Sequence, residues 1–246
     1  MAPPADPYYR RDLALVHHRG FAFHAAACAP GILELLEPVR ESRGLVVEIG
    51  CGSGLLTGEL VGAGHRVVAT DASPAMLELA RLEVTGAQEI RRVTLPDDPL
   101  PEADGIVGVG HALNYLPDAG AVDRALQALA RALRPGGVLA LDICDLEYGR
   151  HRREAPNLGR VEEDWAIVTR FATPTPDVFI REMTTFVRLD DGSWRRDDER
   201  HDNVLVDTAR IPRLLAAEGV EAEVMTAFGA EELPVGLRTI IGRRPA

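Results

Sequence analysis

The chain has 246 residues, and 46% of them are hydrophobic, which is enough for one large α/β domain with a full core. All 27 basic residues are arginine, and 38 acidic residues give a formal net charge of −11. No basic block stands out, so a surface that binds nucleic acid is disfavoured. Three separated cysteines form no C-x-x-C pair, which disfavours a disulfide framework and a zinc site.

The N-terminal region is predicted to be an addition to the main domain. It has no apolar segment of signal-peptide length, and no stretch approaches a bilayer-spanning length of about 20 apolar residues, so we expect a cytoplasmic protein. Residues 1–11 are rich in proline and polar side chains, which indicates a mobile arm. Helical periodicity then predicts one helix over 12–29 and a shorter helix after Pro30-Gly31.

Strand and helix patterns alternate through the middle of the chain. Helices are predicted over 55–61, from Pro74 onward behind the N-cap Ser73, and over 118–133. Strands are predicted over 45–49, 65–70, 91–95, 105–110 and 138–143. This alternation predicts an α/β fold with a doubly wound, mostly parallel sheet.

The pattern changes after Asp145. Extended segments are predicted over 160–171, 178–189 and 193–206, and the last two are joined by the hairpin signal Asp190-Asp191-Gly192. We therefore expect an inserted antiparallel β-ribbon, followed by a closing helix over 208–218 and two strands over 220–227 and 237–242.

A glycine-rich turn joins the first strand to the first helix of the alternating region. Gly50, Gly52 and Gly54 follow Glu48, the acidic residue at which a short apolar run ends, and glycine permits positive φ and close approach of a ligand to the backbone. The helix N-terminus behind them favours an anionic group. The dinucleotide fingerprint G-x-G-x-x-G is not matched, because its third glycine position holds Leu55. An acid at the end of the second strand, Asp71, is placed to accept hydrogen bonds from ribose.

Three segments carry a family resemblance: VVEIGCGSG, VVATDASPAML and LRPGGVLALD. Over about residues 45–145 the chain resembles class I S-adenosylmethionine-dependent methyltransferases. The resemblance implies S-adenosylmethionine as cofactor and a seven-stranded sheet of order 3-2-1-4-5-7-6 with the last strand antiparallel. It also implies a single domain over 1–246, divided into an N-terminal helical lid (1–44), a cofactor-binding core (45–145), a substrate-covering insert (146–206) and a closing segment (207–246).

The resemblance assigns cofactor contacts residue by residue. Many family members hold the adenine amine with an acid after strand three, but this chain has Thr94, Leu95 and Asp97 there, and the choice among them stays open. The implied contacts are Glu48, Gly50, Gly52 and Gly54 for the methionine part, Asp71 for the ribose, Ala72, Ser73 and Met76 beside the adenine, Thr94 and Leu95 for its amine, and Gly110 and His111 near the methionine amine and the methyl group.

The implied reaction is in-line transfer of methyl to O, N or C of a small organic acceptor. Alignment and exclusion of water carry much of the catalysis, and a base is needed only if the acceptor must lose a proton. His111 is the candidate base, with lining of the cofactor pocket and a structural role as alternatives. Its position at the C-terminal end of a strand is where open α/β sheets bind ligands.

Candidate substrate residues lie on three segments. We predict Tyr8, Tyr9 and His18 on the N-terminal lid, Asn114 and Tyr115 after strand four, and Trp165, Arg181 and His201 on the ribbon. Trp165 is expected either to wall the pocket or to pack the ribbon on the sheet. For Arg181, Arg200 and His201 we favour surface ion pairs with acidic neighbours over an inward position. An inward arginine would favour a carboxylate-bearing substrate.

Two further function classes stay open, namely a nicotinamide-dependent oxidoreductase and a cofactor-binding protein that transfers no methyl group. We expect no metal, because Asp142 and Asp145 lack the partner acid after strand four that divalent-metal members have. The expected partners are a small-molecule acceptor, with neither nucleic acid nor membrane, and the expected assembly is a monomer or homodimer.

Overall fold

A computed structural model describes residues 8–153 and 155–246, so residues 1–7 of the predicted mobile arm lie outside the described residues. None of the helices in these two ranges is long and apolar enough to cross a membrane. The helices are α1 (Arg11–Gly20), α2 (Phe23–Leu35), α3 (Glu37–Glu41), α4 (Leu55–Gly62), α5 (Pro74–Glu83), α6 (Ala119–Ala132), α7 (Leu146–Arg152) and α8 (Ile211–Ala216), with short 3₁₀ turns at Ala112–Tyr115 and Thr208–Arg210.

The strands form two sheets. They are β1 (Leu45–Ile49), β2 (Arg66–Asp71), β3 (Glu89–Arg92), β4 (Ala103–Gly108), β5 (Leu133–Cys144), β6 (Leu158–Val161), β7 (Trp165–Thr175), β8 (Val178–Arg188), β9 (Trp194–Val204), β10 (Glu221–Met225) and β11 (Leu237–Arg243). The larger sheet has the order β3-β2-β1-β4-β5-β11-β10, and β11 runs antiparallel to β5 and β10. This order and the antiparallel last strand confirm the prediction.

The central strands are buried on both faces, as a parallel sheet requires. Val46 and Val47 of β1 and Ile106 of β4 are fully buried. Helices α6 and α8 pack on one face, and α2 and α4 pack on the other. Because β1, β2, β4 and β5 run parallel to one another, their carboxyl ends meet at one edge of the sheet, where such folds bind ligands.

The insert is a separate four-stranded antiparallel sheet of order β6-β7-β8-β9. The predicted ribbon is confirmed, but its first segment is divided into β6 and β7, and helix α7 precedes them. Helix α1 packs on the insert through Leu13 and Val16, which contact Trp165 and Met183. It also contacts α5 of the core, so the N-terminal helix joins the two sheets.

The break between the first two helices lies at residues 21–22, and the predicted break at Pro30-Gly31 is wrong. Gly20, at the end of α1, and Gly31, inside α2, each pack against a residue that is distant in the sequence. A Cβ on Gly20 would lie 2.6 Å from the Trp165 ring, and a Cβ on Gly31 would lie 2.7 Å from the backbone nitrogen of Gly229. Gly31 therefore permits close packing inside a continuous helix and does not end it.

Candidate active site

The glycine turn after β1 has a backbone that other residues rarely adopt. Gly50, Gly52 and Gly54 have φ values of 59°, 54° and 86°. A Cβ on Gly50 would lie 2.5 Å from the Cβ of Ala112, and α4 begins directly after Gly54. The turn therefore needs glycine for both its conformation and its packing, and it leaves backbone exposed to a ligand.

Asp71 is linked to this turn by hydrogen bonds. Its Oδ2 accepts the N–H of Gly52 at 2.8 Å, and its Oδ1 accepts the N–H of Ser73 at 2.8 Å. Burial raises the pKa of Asp71 above its ordinary value, although both N–H groups favour the charged form. Each carboxylate oxygen keeps a lone pair, so Asp71 is still able to accept hydrogen bonds from ribose hydroxyls.

Ser73 connects the cofactor edge to the N-terminal arm. Its Oγ accepts the N–H of Met76 at 3.1 Å, which caps α5, and it donates to the carbonyl of Tyr9 at 2.8 Å. Ala72 is exposed beside it, and Met76 is buried beneath the turn. The predicted adenine-side residues therefore lie together, next to the arm.

Glu48 is buried behind the glycine turn. Its carboxyl group accepts a hydrogen bond of 2.6 Å from the Thr57 hydroxyl. Burial raises the pKa of Glu48 to about 8, and the Thr57 bond only partly offsets this, while the charge of Asp71 adds to it. Glu48 is therefore largely protonated at neutral pH when nothing positively charged lies beside it.

The region predicted to hold the adenine amine differs from expectation. Strand β3 ends at Arg92, earlier than predicted, and a tight turn follows. The N–H of Thr94 donates to Asp98 at 2.7 Å, and its carbonyl accepts the N–H groups of Asp97 and Asp98. Because both backbone groups of Thr94 are used inside this turn, the prediction for Thr94 does not fit, and Leu95 and Asp97 stay as alternatives for the role.

Asp142, from β5, organises the loop after β4. Its Oδ2 accepts the N–H of Gly110 at 2.9 Å, and its Oδ1 accepts the N–H of His111 at 2.6 Å. The Nε2 of His24 donates to the same carboxylate at 2.7 Å. Burial alone would lower the pKa of His24, but the hydrogen bond and charge of Asp142 outweigh it and raise the pKa to about 10. His24 is therefore an imidazolium near neutral pH.

Two cavities adjoin at this point. The smaller one, about 80 Å³, is lined by the glycine turn and Glu48. The larger one, about 460 Å³, lies between α1, the loop after β4 and the insert. Four residues line both cavities: His17, Phe21, His24 and Gly110. A ligand in the smaller cavity would therefore meet one in the larger cavity beside Gly110.

Two neutral histidines line the larger cavity. Burial, followed by the charge of Arg181, lowers the pKa of His111 to about 3 and that of His17 to about 4. Each has a buried Nδ1 with no hydrogen-bond partner among the described residues. Both imidazoles are therefore uncharged at neutral pH, and each is a weak base.

Arg181 faces into the larger cavity from β8. Its guanidinium donates a hydrogen bond to the Tyr115 hydroxyl, and that hydroxyl lies 2.9 Å from the hydroxyl of Tyr9. The favoured interpretation of Arg181 as a surface ion-pair residue is wrong. Strand β8 places it on the same face as the buried Met183. Arg200 does form the expected surface pair, with Asp202.

The arm is attached to the insert through one carboxylate. Glu199 accepts the N–H groups of Tyr9 and Arg10 at 2.9 and 2.8 Å and lies 2.9 Å from Nε2 of His201. The surface prediction for His201 is wrong, because its side chain is fully buried and makes tilted and edge-on ring contacts with Tyr8 and Tyr9. Burial, first, and then Arg181 lower the pKa of His201, whereas Glu199 opposes this.

Several predicted substrate residues lie outside the larger cavity. Trp165 packs the insert onto α1. Asn114 is buried, and its amide bonds the backbone of Cys144 and Val204, which clamps β5 to β9 and leaves no polar atom for a substrate. His18 lies 2.9 Å from the hydroxyl of Ser53 at the glycine turn. Tyr8 borders neither cavity.

Tyr9, Arg181 and His111 do line the larger cavity, and Tyr115 contacts all three. Sequence reasoning missed His17 and His24 as cavity residues and the role of Asp142. The one available signal was an acid at the carboxyl end of β5, which we considered only as a metal ligand. Among residues 8–153 and 155–246, no group of three or more His, Cys, Asp or Glu side chains is arranged to hold a metal.

Comparison with known proteins agrees with this geometry. Residues 47–141 match the family model of a methyltransferase domain. A putative methyltransferase of Geobacillus sp. (strain WCH70) is 26% identical over 204 residues, 79% of this chain and 81% of the relative. A ubiquinone biosynthesis O-methyltransferase of Xanthomonas euvesicatoria pv. vesicatoria (strain 85-10) is 36% identical over 101 residues, 39% of this chain and only 41% of the relative.

Solved structures match nearly the whole chain. An S-adenosylmethionine-dependent methyltransferase from Clostridium acetobutylicum ATCC 824 has a TM-score of 0.76 at 16% identity and covers 95% of this chain and 98% of its own. The sugar N-methyltransferase KedS8 from Streptoalloteichus sp ATCC 53650 has a TM-score of 0.78 at 22% identity, covering 100% and 99%. The fold is thus that of a methyltransferase. Residues 47–141 therefore match a methyltransferase domain, and the chain shares the fold of S-adenosylmethionine-dependent methyltransferases.

Proposed function

We propose that this enzyme transfers a methyl group to an O, N or C atom of a small organic acceptor held in the larger cavity. One observation carries the proposal: the cavity beside the glycine turn and the larger cavity share His17, Phe21, His24 and Gly110 as walls. Two small molecules bound in these cavities would meet at that shared wall, which is the arrangement that in-line transfer requires.

The residues of the smaller cavity, together with those that follow β2 and β3, fit S-adenosylmethionine as the cofactor. Glu48 and the glycines of the turn would hold the methionine part, and Asp71 has lone pairs for the ribose. Ala72, Ser73 and Met76, with Leu95, would border the adenine. S-adenosylmethionine supplies an electrophilic methyl group on a sulfonium sulfur, which becomes a neutral thioether. The raised pKa of Glu48 suits a site that a cation completes, because a nearby positive charge favours the carboxylate.

The larger cavity favours loss of a proton from the acceptor, although no strong base of residues 8–153 and 155–246 lines it. None of the described residues that line it is Asp or Glu, whereas three are arginine. Positive charge nearby lowers the pKa of a bound amine or phenol, so the acceptor loses its proton more easily. We assign His111 the role of accepting a hydrogen bond from the acceptor, since a pKa of about 3 makes it a poor general base.

We favour nitrogen as the acceptor atom. The N-terminal helices and the insert both contribute to the acceptor cavity, and the ubiquinone O-methyltransferase match, at 101 residues, is too short to span both. The sugar N-methyltransferase KedS8 shares the fold over the whole chain, insert included. An uncharged amine also needs no proton removal before it attacks, which suits a cavity without a carboxylate base.

The test is transfer of labelled methyl from S-adenosylmethionine to matched panels of small amines, phenols and alcohols. We expect product from amines, with S-adenosylhomocysteine as the second product. Product from phenols and not from amines would contradict nitrogen as the acceptor atom. Tight calorimetric binding of S-adenosylmethionine with no transfer to any panel member would favour a cofactor-binding protein that transfers no methyl group. The monomer or homodimer and the cytoplasmic location stay predictions.

A further inference from the structure

Arg181 is an inward arginine that pairs with no carboxylate of residues 8–153 and 155–246. None of the ion pairs among the described residues includes it, and its Nε is buried without a hydrogen-bond partner. Its polar neighbours include the phenol groups of Tyr115, Tyr9 and Tyr148. None of these groups is a carboxylate.

Such a position is costly in a ligand-free protein. A buried guanidinium without a counter-ion loses hydration that neutral hydroxyl groups only partly replace. The Tyr115 ring, with its centroid 5.6 Å from the guanidinium carbon, adds a modest cation–π attraction. A negatively charged ligand would supply both the missing charge and the missing acceptors for the guanidinium fork.

The anion that would pair with Arg181 is not part of the cofactor. Arg181 lines the larger cavity but not the smaller one beside the glycine turn. A sulfonium at the shared wall would also be repelled by Arg181 unless an anion lay in the cavity between them. The partner therefore belongs to the larger cavity, where the acceptor binds.

A second arginine points to the same chemistry. Arg152, at the end of α7, lines the larger cavity and forms no ion pair among the described residues. Its guanidinium lies 5.1 Å from the centre of the Tyr148 ring and 5.9 Å from that of Phe171. The third cavity arginine differs, since Arg160 is paired with Glu162 at 2.8 Å.

We propose that the methyl acceptor is a small anion, a carboxylate or a phosphate ester, whose charged group binds Arg181, with Arg152 supporting it across the cavity. The proposal rests on the function proposed above and names the chemical class of its substrate. The cavity has a place for the charged end of such a molecule at Arg181 and for its reacting end at the wall beside Gly110. The Tyr115 ring lies 5.6 Å from the Arg181 guanidinium and 5.7 Å from the His111 ring, so a small acceptor reaches from Arg181 to the wall at Gly110.

Binding of matched probes tests the charge requirement. Benzoate and phenyl phosphate are titrated calorimetrically into protein saturated with S-adenosylhomocysteine, alongside the neutral isostere benzamide. We expect at least one anion to bind tenfold or more tightly than benzamide, and the better anion indicates the kind of charged group. Equal affinity of anions and benzamide, or no binding of either anion, would overturn the proposal.

Variants locate the site. Arg181→Gln should remove the preference for the anion, and Arg181→Lys should restore part of it, because lysine keeps the charge but not the fork. Arg200→Gln is the matched control, since Arg200 lies on the outer face of the same sheet and pairs with Asp202. A preference that survives in Arg181→Gln would overturn the assignment. If Arg181→Gln does not fold, the wild-type comparison of anion and amide still decides.

The same panel separates this inference from the proposed function. Methyl transfer is measured independently with labelled cofactor and acceptors offered as acid and amide pairs. Selective anion binding without any transfer would leave the Arg181 site standing and contradict the proposed function. Equal transfer to acids and amides would confirm the function and contradict the anionic acceptor.

Discussion

The imidazole of His24 donates a 2.7 Å hydrogen bond to the carboxylate of Asp142, which joins the N-terminal helices to the sheet core. The same carboxylate accepts the N–H groups of Gly110 and His111. Asp142 therefore holds Gly110 in the wall that the two cavities share. It also keeps His24, which lines both cavities, positively charged.

The His24–Asp142 pair predicts a pH-dependent contribution to stability. The pKa of His24 is raised from 6.5 to about 10 on folding, so its contribution is fully present below 6.5 and is lost as pH rises through about 10. We expect His24→Gln to lower the free energy of unfolding by about 2–4 kcal/mol at pH 6.5 and by much less at pH 10. Denaturant unfolding of both proteins across this range measures it. A difference that is constant with pH would contradict the assigned charge.

The glycine turn predicts opposite outcomes for two alanine substitutions. Gly50→Ala should abolish S-adenosylmethionine binding, because Gly50 has φ of 59° and the new Cβ would lie 2.5 Å from the Cβ of Ala112. Gly58→Ala is the matched control inside α4, where a Cβ meets nothing within 4 Å, so it should bind normally and gain up to about 1 kcal/mol of stability. Calorimetric titration and thermal unfolding check both. Normal binding by Gly50→Ala would show that the turn does not cradle the ligand.

Asp71→Ala is predicted to weaken binding of S-adenosylhomocysteine by about 1–3 kcal/mol, because hydrogen bonds to ribose and to the turn are lost. Glu78→Ala, on the exposed face of α5, is the control and should bind as the wild type does. Equal affinities of the two variants in calorimetric titration would remove Asp71 from the cofactor site.

Glu199 predicts a link between the arm and acceptor binding. Glu199→Gln keeps one acceptor oxygen but places an NH₂ group against the N–H of either Tyr9 or Arg10, so we expect the free energy of unfolding to fall by about 1–3 kcal/mol. Because Tyr9 borders the larger cavity, KM for the acceptor should rise more than kcat falls. Glu182→Gln, on the outer face of the neighbouring strand, should change neither. An unchanged KM in Glu199→Gln would separate the arm from acceptor binding.

The cofactor core was predictable because its signals are local. The apolar run of β1, the glycines after it and the acid that ends β2 lie within residues 45–71, and the structure brings them together as expected. The order of the sheet followed from the resemblance, and the second sheet followed from turn signals. The division of 1–246 into lid, core, insert and closing segment stays an interpretation.

The acceptor cavity was less predictable because its residues meet only in the tertiary structure. His24 and Asp142 lie 118 positions apart in the sequence. On β8, Arg181 and Glu182 are adjacent and must face opposite sides, and apolar residues flank both, so periodicity does not say which charge is inward. Asn114 resembled an ordinary loop residue until its amide was found to bond β5 and β9.

A small acceptor in the larger cavity is proposed to receive a methyl group at the wall formed by His17, Phe21, His24 and Gly110. The most direct measurement is mass-spectrometric analysis of products after incubation with methyl-labelled S-adenosylmethionine and a panel of small amino acids, amino sugar phosphates and their neutral analogues. We expect a labelled methyl group on nitrogen of an anionic acceptor. Tight cofactor binding with no labelled product from any acceptor in the panel would contradict it.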